Sequence, residues 1–309
     1  MTIYNPQTRE ESELRFSAIT IQNQFEALEC HLNKSNISSQ ISELEFFQNI
    51  RCSSNFNESE VKKKLLNAWN TERLINITVR DFKGSSLLYS VQWGFPQLYY
   101  SIFSLVWTFF LVKGYTEITH TSIIKKFGKL LNEGKYPDII SFRATGGIKE
   151  IEIINLSEVR GYESINFSRS DSNTVQNQLC QFLRATRKND LKNRKSKIKI
   201  KLANNQGNKT KYSRDDWKKV SQSLGFTSIL SLIYRRRIKS NYKDIDSYLS
   251  DDLDASKLYK SIIHICETIN FIHEVYIAKA IGLSKYREFV QETDFIFVNK
   301  RLTKIIEMI

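Results

Sequence analysis

Residues 95–112 read FPQLYYSIFSLVWTFFLV, an almost unbroken apolar run that stops at Lys113-Gly114. Eighteen such residues reach the lower limit for a membrane span, so the run must cross a bilayer or fill a protein core. Its polar members Gln97, Ser101, Ser104 and Thr108 recur at three- and four-residue spacing, the period of a helix. Tyr99, Tyr100 and Trp107 lie inside the run, where a membrane span would place aromatics in belts at its ends. The pattern predicts a buried core helix, with Pro96 in its first turn, where a missing N–H is tolerated.

The flanking segments supply helices to cover it. From Glu58 to Asn76, Val61, Leu65, Ala68, Trp69 and Leu74 share one face. THTSIIKKFGKLLNEG predicts a helix opened by Thr119 or Thr121 and closed by Gly134. Ser213 with Asp216 three residues on has capping-box spacing, and helices follow over 226–237 and 255–281. In IKEIEIINL, Ile151 and Ile153 alternate with Glu150 and Glu152, a strand pattern. Residues 1–58 are weakly periodic, with a helix only around SELEFFQNI. The expected fold is mainly α: a helical bundle with a small inserted β element, made of a basic β-hairpin and the acidic/apolar strand. Its expected divisions are an N-terminal region at 1–58, helical core at 59–135, an α/β insertion at 136–219 and helical core again at 220–309.

Charge is concentrated in one place. Between Arg184 and Lys219 stand fourteen Lys or Arg against three acids, a net +11 in a chain whose total is +13. Such a cluster suits the displacement of counterions from a phosphate backbone. Within it KSKIKIKL places Lys197, Lys199 and Lys201 on one strand face, NNQGN is a turn signal, and Lys209 and Lys211 return. Alternate strand residues lie about 6.6 Å apart, near the spacing of successive phosphates. The expected contacts are Arg184, Arg187, Lys188, Lys192, Arg194, Lys195, Lys197, Lys199, Lys201, Lys209 and Lys211. An edge hairpin whose lysines only discourage aggregation, or one paired with the acidic strand, is the plain alternative.

Cys30, Cys52, Cys180 and Cys266 show no CxxC spacing and no paired His, so neither a metal site nor a disulfide framework is expected. No cofactor motif is present, and a cytoplasmic chain with reduced thiols is the reading that follows.

The segment LIYRRRIKSNYKDID follows an apolar helix. Together with YYSIFSLVW leading into His120, it resembles the HEPN-type helical bundles of prokaryotic defence and toxin systems, over about residues 60–135 and 225–283. The resemblance implies a metal-free ribonuclease site built from an Arg and a His with four to six residues between them. Arg236 or Arg237 matches the Arg, while Asn241 or Tyr242 stands where the His belongs. An Asn amide is not a general base at neutral pH. As a plain alternative, arginines at a helix C-terminus complement the helix dipole.

The expectation is therefore a non-enzymatic nucleic-acid-binding subunit of a prokaryotic antiviral complex. It would touch a DNA or RNA backbone and other protein subunits, with a homodimer open and no membrane contact. The alternatives are a HEPN-type ribonuclease with an atypical site, and an adaptor gripping an acidic protein.

Overall fold

The computed structural model describes residues 9–34, 36–53, 56–116, 119–158, 165–198, 210–242 and 245–309. In chain order these form α1 Arg9–Leu32, α2 Ile37–Glu43, α3 Glu45–Gln48, α4 Glu58–Asp81, α5 Gly84–Val112 and α6 His120–Asn132. Strands β1 Arg143–Thr145 and β2 Glu152–Ile154 follow, then α7 Ser172–Lys197, α8 Arg214–Leu224, β3 Thr227–Ser228 and α9 Ile229–Tyr242. The chain ends with α10 Ile245–Tyr248, α11 Ala255–Ile281, α12 Leu283–Gln291 and α13 Ile296–Met308. The fold is mainly α with a small antiparallel sheet, as expected.

The apolar run lies in α5, which packs on α4, α9, α10 and α11. Burial of its apolar residues on every side explains the absence of a broad polar face. The helix starts at Gly84, so Pro96 is an interior residue and not the first-turn proline expected. Preceding residues SSLLYSVQW carry Leu87 and Val91 into the core at helical spacing and extend the element backwards. One cluster of buried side chains runs from Ala18 to Ile305 and draws on all four expected divisions. Where caps were legible they are present: Thr119 with Ser122, and Ser213 with Asp216. Gly134, two residues beyond α6, adopts φ +66°, the left-handed stop that favours glycine.

Two expectations need correction. First, residues 1–58 are not structurally vague, since α1 is a 24-residue core helix. Its inner face carries Asn23, Gln24, Glu26, Glu29 and His31, all buried, which blurs the apolar period. Glu26 and Glu29 are compensated by Arg169, at 2.9 Å from each. Second, the basic hairpin does not begin at Lys195. Lys195 and Lys197 lie in the last turn of α7, set by the inward residues Val175, Leu179, Phe182, Thr186 and Leu191. Residues 199–209 of that expected hairpin, with Lys199, Lys201 and Lys209, lie outside the described residues.

The sheet has the order β2-β1-β3, with Ala144 opposite Ile153 on one side and Thr227 on the other. Gly146, φ +83°, turns β1 toward β2; a Cβ there would stand 1.9 Å from the Glu150 carbonyl. Arg187 of α7 is fully buried beneath this turn. It donates to the Gly146 carbonyl, the Gly225 carbonyl and the Ser221 hydroxyl, joining the sheet to α8.

At the other end of the bundle an ionic group is enclosed. Arg301 of α13 donates to Glu72 of α4 at 2.8 Å and lies 3.2 Å from Glu274 of α11. Trp69 and Tyr286 donate to Glu274, each at 2.9 Å, and Asn270 donates to Glu72 at 2.8 Å. Four helices are thereby tied through one set of charge-assisted hydrogen bonds.

Candidate nucleic-acid interface

Three consecutive arginines on a helix point about 100° apart, so RRR on α9 sends its members to three different places. Arg236 turns inward: 4% exposed, it donates to Gln24 of α1 at 2.5 Å and lies over Phe182. Arg235 reaches α7 and donates to Thr186 at 3.1 Å. Arg237 reaches α5, donates to the Tyr100 hydroxyl and spreads its guanidinium 5.0 Å from that ring. The 100° step of the helix, not the sequence motif, decides which neighbour each one meets.

A cleft of about 300 Å³ opens between α6, α7 and α9. Among the described residues its lining carries five cations, Lys125, Arg194, Lys197, Arg235 and Lys239, against the acid Asp190. Burial pushes the Asp190 carboxyl up to about 6, although Arg235 and Arg187 pull it down. Tyr234, on the wall of this cleft, also belongs to an aromatic cluster around His120.

His120 is the first residue of α6, and its Nδ1 lies 2.7 Å from the Tyr99 hydroxyl. Its ring stacks on Phe103 at 4.3 Å and on Tyr234 at 6.1 Å. Arg237 lies over Tyr99, Tyr100 and Tyr234, the same rings that surround the imidazole. Burial, and then the Arg237 charge, hold the imidazole below its ordinary pKa, so it is neutral at pH 7. A neutral imidazole and a guanidinium thus share one half-buried aromatic setting. The histidine stands on α6, while Asn241 and Tyr242 occupy the positions downstream of the arginines on α9.

Beyond Tyr100, α5 presents Trp93 and Tyr89, 59% and 60% exposed. Trp93, Pro96, Gln97 and Tyr100 line an open groove together with Asn67 and Thr71 of α4. Tyr100 therefore joins this groove to the Arg237 cluster, and Tyr234 joins that cluster to the basic cleft.

The expected contact residues divide accordingly. Arg194 and Lys197 line the cleft, and Lys188, Lys192 and Lys211 are exposed. Arg184 is engaged with Glu158 and the Ile151 carbonyl. Lys195 donates to the Thr210 carbonyl and lies over the Tyr212 and Trp217 rings. Arg187 is removed from phosphate contact by complete burial. Asn241 is half-buried near the end of α9, and the Tyr242 side chain lies outside the described residues. Lys125, Arg235, Lys239 and the aromatics Trp93 and Tyr234 were missed, because their meeting depends on helix packing. Among the described residues no three His, Cys, Asp or Glu side chains gather as metal ligands would.

Comparison with family models, curated proteins and solved structures finds no match to this chain.

Proposed function

We propose that the chain binds a single strand of nucleic acid, with phosphates in the cleft between α6, α7 and α9 and bases on the aromatics of α5. The carrying observation is the cleft's imbalance, five cations around one acid. A surplus of cations lining a cleft favours an anion, and a phosphate backbone supplies anions at regular spacing. Exposed Trp93 and Tyr89 favour a single strand, whose base faces are free to stack; a duplex hides them. In this reading the chain is a non-catalytic subunit that works beside other protein chains in the cytoplasm. The resemblance to HEPN-type bundles suggests prokaryotic antiviral defence as the setting.

One observation favours a second reading, ribonuclease activity. Neutral His120 is suited to accept the proton of an RNA 2′-hydroxyl, and Arg237 to stabilise charge gathering on the phosphate. Asn241 and Tyr242 are not needed for such a site.

Fluorescence anisotropy with labelled strands of about a dozen nucleotides, and the matching duplex, tests the proposal. Single strands should bind more tightly, and Lys125→Glu with Lys197→Glu should flatten the slope of log K against log salt. The expected change is about 1.4, at about 0.7 per phosphate on a single strand. Equal affinity for duplex, or an unchanged slope, overturns it. RNA cleavage in EDTA that disappears in both His120→Ala and Arg237→Ala replaces it with the second reading.

A further inference from the structure

The open groove between α4 and α5, about 410 Å³, is lined by Asn67, Thr71, Trp93, Pro96, Gln97 and Tyr100. Among the described residues no charged side chain belongs to that lining, in contrast to the basic cleft. A neutral body therefore suits it, and the neutral part of a nucleotide is its base. Trp93, Gln97 and Tyr100 follow one another at spacings of four and three, which sets them on one stripe of α5. Asn67 and Thr71, four apart, form the facing pair on α4. The Tyr100 hydroxyl accepts from Arg237, so a cation for the adjoining phosphate stands beside the groove.

The polar atoms on these walls differ in kind. Gln97 Oε1 is enclosed without a partner, which leaves the Nε2 amino group as the end that meets the groove. Asn67 donates from Nδ2 to Ser104 at 3.2 Å, so its Oδ1 is left to accept. Thr71 donates its hydroxyl proton to the Asn67 carbonyl at 2.7 Å, so its oxygen too can only accept. These three side chains thus offer one donor group beside two acceptors. Their complement is an exocyclic amino group next to a ring nitrogen, the pair that adenine carries. Uracil reverses it, with two carbonyls about a single N–H. Amide side chains suit adenine, whereas the paired acceptors O6 and N7 of guanine call for a cation. Cytosine has the same pair as adenine but covers less of the exposed Trp93 face.

We propose that this groove seats an adenine base of the bound strand, stacked on Trp93. Gln97 donates to a ring nitrogen of that base, and Asn67 and Thr71 accept from its amino group. This base preference rests on the strand-binding reading and adds sequence selectivity to it.

Anisotropy with RNA strands of about a dozen nucleotides tests it. The strands alternate C with A, C with U, or C with unsubstituted purine, the adenine analogue that lacks the amino group. The C/A strand should bind about 5- to 150-fold more tightly than the C/U strand, the usual discrimination of a paired amide contact. The C/purine strand should lose most of that gain. Gln97→Leu keeps the side chain's size and removes a buried unpaired oxygen, so circular dichroism should not change. It should bring C/A and C/U to the same affinity with the salt slope unaltered. Equal wild-type affinity for C/A and C/U, a C/purine strand as tight as C/A, or a preference that survives Gln97→Leu each overturn the proposal while strand binding itself stands. Absence of salt-dependent binding by every strand overturns both together.

Discussion

The bundle holds two groups of charge built on opposite plans. Around Arg301 the cation is enclosed by Glu72 and Glu274; Trp69 and Tyr286 also donate to Glu274, and Asn270 to Glu72. Among the described residues, five cations and one carboxylate line the cleft between α6, α7 and α9. Matched, enclosed charge holds helices in register but offers little to a polyanion. A local surplus of one sign along a cleft contributes little to the fold and much to binding a polyanion. Stability and strand affinity should therefore respond to different residues, and each prediction below tries that separation.

The largest effect is expected from Arg301→Met. It leaves Glu72 and Glu274 buried without their cation, a change that usually costs about 3–5 kcal/mol. Urea unfolding should show that loss, while strand affinity of the protein still folded stays as it was. A loss below about 1 kcal/mol would mean the enclosed group is not needed for the fold, and the contrast would fail.

Next comes Trp93→Ala, which removes an exposed ring from α5. Stacking of one base contributes about 1–3 kcal/mol, so anisotropy should report strand binding weakened by about 5- to 150-fold. The urea midpoint should hardly move, since surface substitutions usually change stability by less than about 0.5 kcal/mol. Lost stability with unchanged affinity would invert the comparison and make Trp93 a packing residue.

How much of this could be read beforehand depended on how local the cause was. The helical period of Val61, Leu65, Ala68 and Trp69 (though Leu74, expected with them, is exposed and Ile75 is buried instead), the caps at Thr119 and Ser213, and the alternation through Ile151 and Ile153 act within a few residues. All are visible in sequence. Helix α1 was hidden because Glu26 and Glu29 sit on its inner face, made tolerable by Arg169 from far along the chain. Charge counting treated Arg187 and Arg194 alike; the closeness of α7 to Gly146 buries the first, and the second reaches the cleft. His120 and Arg237 meet only because Tyr99 and Tyr100, adjacent on α5, present their rings to α6 and α9. No spacing rule within one helix encodes that.

The smallest effect, and the most specific to the cleft, concerns Asp190. Its carboxyl titrates near pH 6, raised by burial against the pull of Arg235 and Arg187. Below that pH it holds its proton, and the cleft's acid no longer opposes phosphate; above, it is ionised. Strand affinity should therefore rise as pH falls from about 7.5 to about 5. One unit charge some 8 Å away at intermediate screening alters binding by roughly 1 kcal/mol, or about fivefold. Asp190→Asn should hold the tighter affinity across the range. The imidazole of His120 also gains positive charge on acidification, in the same direction, so the comparison is repeated in a His120→Asn background. The same carboxyl gives a sign for stability. Its folded pKa, about 6, exceeds the ordinary aspartate value of 3.8, so the folded chain binds the proton more tightly than the unfolded chain. This contribution favours folding below about pH 4 and is lost as pH rises through about 6. Asp190→Asn should remove that decline while leaving the Arg301 group untouched, so one substitution flattens both curves. If it flattens only the stability curve, Asp190 belongs with the enclosed charges and the cleft's imbalance is not what binds the strand.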